Sequence, residues 1–68
     1  MDKARFRYEM EKRNVTPAMI CDTLHISKSA FYRKMNGSSE FTQSEIQKIV
    51  DFLGLDSPVG IFFREKVS

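Results

Sequence analysis

The residues best suited to recognising a ligand lie between Ser27 and Asn36, a stretch with three basic side chains and no acidic one. If this stretch is a helix, Phe31 and Met35 share an apolar face, because residues four apart lie on the same side. The opposite side is polar and basic, and it carries Ser29, Tyr32, Arg33 and Asn36. A helix with such an outward face suits an anionic surface, so double-stranded DNA is the leading partner.

The chemistry of these side chains allows base recognition. Arginine can donate two hydrogen bonds to guanine O6 and N7, and lysine can approach the same acceptors. Lys28 lies in the first turn, where side chains tilt toward the helix N-terminus. We therefore expect Lys28, Ser29, Tyr32 and Arg33 to read bases. The alternative for each is an ordinary exposed side chain with no specific role.

Two short helices must position this face. Thr16 is an expected N-cap with Pro17 at the first helical position, and the helix runs to about Leu24. Only His25 and Ile26 separate it from the next helix, which Ser27 caps and Asn36-Gly37 ends. So short a link forces a steep crossing, which predicts a helix-turn-helix over 16–37 with its recognition helix at 27–36.

The rest of the chain predicts a compact all-α domain of five helical segments covering residues 1–68. The first runs from Asp2 to about Arg13, with Phe6 and Met10 toward the core and Asn14 in a left-handed conformation. The fourth begins at the T-x-x-E capping box of 42–45, after a loop anchored by Phe41. Its buried stripe is Ile46, Ile49, Val50 and Leu53, and Gly54 ends it. A short fifth segment runs from Ser57-Pro58 through Phe62.

Composition narrows the function classes. Residues 1–36 hold eight basic and four acidic side chains, whereas residues 37–68 hold three and five, so the basic half is the expected nucleic-acid side. No apolar run is long enough to span a membrane, and the start lacks the apolar stretch of a secretory signal. One cysteine, Cys21, forms no internal disulfide, so a reducing cytoplasm is expected. His25 has no partner at metal-ligand spacing, and nothing resembles a catalytic set, so we expect no metal, no cofactor and no enzyme activity.

The two-helix unit resembles that of the phage Cro and C1 repressors, the XRE family. The resemblance rests on Thr16, Ala18, Ile20, Leu24, residues 26–29 and Asn36-Gly37. It continues through 41–46, 53–55 and 61–63, and so covers nearly the whole chain. It implies a five-helix lambda-repressor-like fold and a sequence-specific transcriptional regulator, a repressor of prophage or mobile-element type. Lys28, Ser29 and Arg33 fall on the base-reading positions of that family.

Five positions depart from the family pattern. His25 stands where glycine is usual, and Cys21 where alanine is usual. Pro17 replaces a common glutamine, which removes one side-chain contact to phosphate. A buried arginine–glutamate pair of many relatives corresponds to Met10 and Met35, an exchange that can be neutral or stabilising.

Phosphate contacts are expected from helix N-termini and nearby polar groups. The expected set is Thr16, Pro17 with the amides that follow it, Lys34, Asn36, Ser38 and Ser39. Ser38 and Ser39 have the alternative role of plain loop residues. The resemblance also implies a homodimer on two half-sites, with Val59, Ile61 and Phe63 either forming the dimer surface or completing the monomer core. No small-molecule ligand is expected.

A second hypothesis comes from another class of function. The same fold can serve as a protein-interaction module, such as an antitoxin-like or antirepressor-partner adaptor, without reading DNA. Such a module would not need basic residues at Lys28 and Arg33. Binding to duplex DNA that weakens with salt separates the two hypotheses.

Overall fold

The computed structural model of the chain describes residues 1–58 and 60–62, and this part contains four helices and no β-strand. The helices are α1 (Lys3–Lys12), α2 (Pro17–Leu24), α3 (Lys28–Met35) and α4 (Gln43–Leu53). The all-α prediction is confirmed. None of these helices is long and apolar enough to cross a membrane.

The prediction of a fifth helix is wrong for the described residues. Ile61 and Phe62 both donate their backbone N–H to the carbonyl of Pro58, at 3.2 and 2.8 Å, and the segment is a turn. The first turn of a helix is unfavourable to form and becomes stable only when further hydrogen bonds follow it. Gly60 is also a weak helix former. The turn is held to α1 by the Asp2 N–H, which donates to the Ile61 carbonyl at 2.7 Å.

Every helix begins with a side-chain cap. Thr16 Oγ1 accepts from the Met19 N–H, Ser27 Oγ from Ala30 and Thr42 Oγ1 from Glu45, as the sequence predicted. Asp2 was expected inside α1, but it is the N-cap instead, since its carboxylate accepts from the Arg5 N–H at 2.9 Å. These caps satisfy donors that a helix start leaves unpaired.

A residue with positive φ follows within two positions of the last residue of each of the four helices. These residues are Asn14, His25, Gly37 and Gly54. In each case the next N–H reaches back five residues and the positive-φ N–H reaches back three, the Schellman arrangement. The left-handed conformations expected at Asn14 and His25 are confirmed, each with φ of 57°.

The core lies where α2 packs against α3 and α4, with α1 laid across them. Phe6 is completely buried, and its ring meets those of Phe31 and Phe62 edge-on at centroid distances of 6.3 and 5.5 Å. Phe41 packs at 6.1 Å from Phe6, which confirms it as the anchor of the loop between α3 and α4. The edge-on contacts add to what simple burial of the rings contributes.

Two expectations about apolar residues are resolved by burial. Met10 and Met35 are both buried in this core, as expected for two apolar residues at these positions. Ile61 is only 4% exposed and completes the monomer core, so it does not supply a dimer surface. Val59 and Phe63 lie outside the described residues.

Candidate nucleic-acid interface

The outward face of α3 carries all four predicted base-reading residues. Lys28, Ser29, Tyr32 and Arg33 are exposed, whereas Phe31 and Met35 on the opposite side are 1% and 6% exposed. The helix period predicted correctly that Ser29, Tyr32 and Arg33 face out, and the tilt of first-turn side chains did so for Lys28. Their contacts to DNA stay a prediction, since they concern a partner.

The two cations on this face are free to bind an anion. Within the described residues, neither Lys28 nor Arg33 forms a side-chain hydrogen bond or an ion pair. The N–H groups of Lys28 and Ser29 also lack a partner there, because the Ser27 cap engages Ala30 instead. The exposed face of α3 thus presents two positive side chains, and its first turn adds two N–H donors that have no partner within the described residues.

The turn before α3 fixes the angle at which this face is presented. His25 adopts the left-handed conformation, and the Ile26 N–H donates to the Cys21 carbonyl at 3.0 Å. The Cys21 thiol lies 3.8 Å from the Ser27 carbonyl, so a small side chain fills the close approach of the two helices. Ile26 packs against the core, which ties the turn down.

The start of α2 offers less to a phosphate than the sequence suggested. Pro17 has no N–H, and the Met19 N–H is taken by Thr16 Oγ1 at 3.3 Å. The Thr16 N–H lies against the Met19 sulfur at 3.4 Å, which leaves the Ala18 N–H as the donor with no partner in this first turn. Of the amides after Pro17 that were expected to contact phosphate, the Ala18 N–H is therefore the one still available in the first turn.

The end of α3 keeps its polar side chains exposed. Asn36, Ser38 and Ser39 are all exposed, and their side chains form no hydrogen bond within the described residues. The N–H groups of Ser38 and Ser39 donate to the Arg33 carbonyl at 2.9 and 3.3 Å, so only the hydroxyls are open to a ligand. Their phosphate contacts also stay a prediction.

Lys34 differs from the other predicted phosphate contacts. Its ammonium donates to Glu45 Oε1 at 3.0 Å and to the Glu40 carbonyl at 3.1 Å, and it lies 5.8 Å above the Phe41 ring. The ammonium is therefore committed inside the protein, where it joins α3 to the start of α4. Glu45 lies eleven residues from Lys34 in the sequence, so the spacing of residues along one helix could not predict this pair.

Glu45 serves two partners at once. Burial alone would raise the pKa of its carboxyl, but the Thr42 N–H at 2.8 Å and the Lys34 ammonium outweigh burial and hold the pKa below its usual range. The charged form of Glu45 is thus the one the fold stabilises. No group of three His, Cys, Asp or Glu side chains in the described part of the chain is arranged to hold a metal ion.

An open groove of about 310 Å³ runs beside α3. Its walls come from three helices and include Arg7, Glu11, Pro17, Tyr32 and Asn36. This groove could not be predicted from the sequence, because it forms only where α1, α2 and α3 come together. The signal available in the sequence was only that Arg7 flanks the core position Phe6.

Short crossed helices, a fixed turn and an exposed basic second helix define a helix-turn-helix DNA-binding domain. The chain belongs to the BetR domain family, whose sequence profile matches residues 3–64. That family consists of small helix-turn-helix-like DNA-binding domains, which supports a DNA-binding regulatory role. Comparison with the curated proteins and with the solved structures finds no significant match.

Proposed function

We propose that this domain is a sequence-specific transcriptional regulator, of the repressor type that acts by occupying its operator. In this proposal α3 lies in the major groove, with Lys28, Ser29 and Arg33 against base edges and Tyr32 beside them. The regulator acts inside a bacterial cell, with the prophage or mobile-element setting that the Cro and C1 resemblance implies.

The observation that carries the proposal is the pair of unpartnered cations on α3. Lys28 and Arg33 are exposed and have no acidic partner within the described residues, whereas Lys34 on the same helix is paired. A protein would gain solubility from such cations anywhere on its surface. Concentrating them on the second helix of a helix-turn-helix favours a role in contacting DNA.

Titration of mixed-sequence duplex DNA at two salt concentrations tests the binding. The wild type should bind more weakly as salt rises, because phosphate contacts release counterions. Arg33→Ala should weaken binding, and Lys48→Ala, which removes an exposed cation from α4, is the matched control. Absence of salt-dependent binding at micromolar protein would refute the proposal and favour the protein-interaction module.

We also propose that two copies occupy half-sites about one helical turn apart, since one recognition helix covers few base pairs. Ile61 is buried in the monomer, so the contact between copies must use other residues. Sedimentation of the protein with and without duplex DNA tests this. A protein that stays monomeric in both conditions would contradict the dimer.

A further inference from the structure

We infer that Arg7 on α1 binds a backbone phosphate of the DNA, in the groove between α1 and α3. This inference rests on the proposed function and adds α1 to the helices that contact DNA. It starts from the position of Arg7, which lines the same groove as Pro17, Tyr32 and Asn36. Three of these four residues were already expected at the DNA from the sequence alone.

The basic residues of α1 differ in whether they have partners. Arg5 and Arg13 both pair with the buried carboxylate of Glu9, at 3.7 and 3.0 Å, and Lys12 lies 5.8 Å above the Tyr8 ring. These side chains line a different groove from the one that Arg7 lines, next to Leu55 and Ile61. Arg7 makes no hydrogen bond or ion pair with any described residue, although Glu11 lies one turn away.

Arg5, Lys12 and Arg13 therefore have partners on α1, whereas Arg7 has none within the described residues. The groove that Arg7 lines includes Tyr32 and Asn36 of the exposed face of α3, where Lys28 and Arg33 also lack a partner among the described residues. A recognition helix in the major groove is flanked by the two phosphate strands that edge it. A strand passing the start of α2 and the end of α3 runs across the groove that Arg7 lines.

Apolar side chains form much of the groove lining, and among its polar side chains Arg7 is the one whose chemistry suits a phosphate. An arginine fork matches the oxygens of a phosphate, and Asn36 and the Tyr32 hydroxyl add exposed polar groups at the opposite wall. Glu11 is the single carboxylate among the lining residues, and it leaves Arg7 unpaired rather than neutralising it. A phosphate supplies the partner that Arg7 lacks within the described chain.

The salt dependence of binding to mixed-sequence duplex DNA tests this role. Loss of one phosphate contact lowers the slope of log affinity against log salt by about 0.9. Between about 50 and 200 mM salt, the wild type should lose about 3.5-fold more affinity than Arg7→Gln. Arg7→Lys should keep the wild-type slope, as should the control Lys48→Gln on α4.

The outcomes separate this inference from the proposed function. If the wild type shows no salt-dependent binding, the proposed function itself fails. If the wild type binds with a clear salt slope and Arg7→Gln has that same slope, Arg7 makes no phosphate contact and this inference alone is overturned. A melting temperature equal to that of the wild type shows that each variant is folded, as expected for an exposed, unpartnered side chain.

Discussion

The contact between Lys34 and Glu45 allows the sharpest mutational prediction. Replacing Lys34 with methionine keeps most of the length of the side chain and removes its charge. The change deletes a 3.0 Å ion pair and a 3.1 Å hydrogen bond to the Glu40 carbonyl. We expect it to loosen the attachment of α3 to α4 without removing a DNA contact.

The expected loss in the free energy of unfolding follows from the solvent exposure of the two side chains. The side chains of Lys34 and Glu45 are 14% and 15% exposed, between a surface pair and a buried one. Surface pairs contribute about 0–1 kcal/mol, and breaking a fully buried pair costs about 3–5 kcal/mol. Lys34→Met should therefore lower the free energy of unfolding by about 1–3 kcal/mol. Glu45→Gln should cost less, because its amide oxygen can still accept from the Thr42 N–H.

A double-mutant cycle in urea measures the pair. We expect Lys34→Met and Glu45→Gln to show a coupling energy of about 1 kcal/mol, with Lys48→Met within about 0.5 kcal/mol of the wild type. A coupling energy below about 0.3 kcal/mol would refute the reasoning from burial. The DNA salt slope of Lys34→Met should equal that of the wild type. A slope lower by about 0.9 would show that Lys34 contacts phosphate after all.

Three further predictions concern stability. His25→Gly should raise the free energy of unfolding by about 0.5–1 kcal/mol, because glycine relieves the left-handed strain at some entropic cost. A free energy of unfolding in urea below that of the wild type would contradict this. Phe6→Ala should cost about 3–5 kcal/mol and leave the domain largely unfolded, so a native circular dichroism melt would be inconsistent with its central packing. Glu9 and Glu45 both have lowered pKa values in the folded state, for Glu9 chiefly because Arg13 donates a hydrogen bond to it. Their stabilisation is present above the ordinary glutamate pKa and is lost as pH falls through the folded values, so the free energy of unfolding should decline below about pH 4.5. The double variant Glu9→Gln with Glu45→Gln should decline less steeply, and an equally steep decline would contradict the assignment.

The features that the sequence predicted well are local ones. The caps at Thr16, Ser27 and Thr42 depend on residues three positions apart, and the left-handed ends at Asn14 and His25 depend on the residue itself. The buried and exposed sides of α3 follow from the helix period. Each of these could be read because its cause lies within one helical turn.

The features that the sequence missed depend on distant parts of the chain. Lys34 looked like an exposed cation until the loop after α3 brought Glu45 beside it. The sequence left open whether Ile61 completes the core or forms a dimer surface, and it is buried because the turn after Pro58 lies against the start of α1. The groove that Arg7 lines likewise requires three helices in place. Spacing along the chain carries no information about such contacts.

Selection of bound duplexes from a random pool tests the central claim that the outward face of α3 reads DNA sequence. The wild type should enrich a short motif, and Arg33→Ala should lose the preference at one position of that motif, at a cost of about 1–3 kcal/mol there. Lys48→Ala should enrich the wild-type motif unchanged. No enriched motif, or the same motif with the same preferences from Arg33→Ala, would contradict the account.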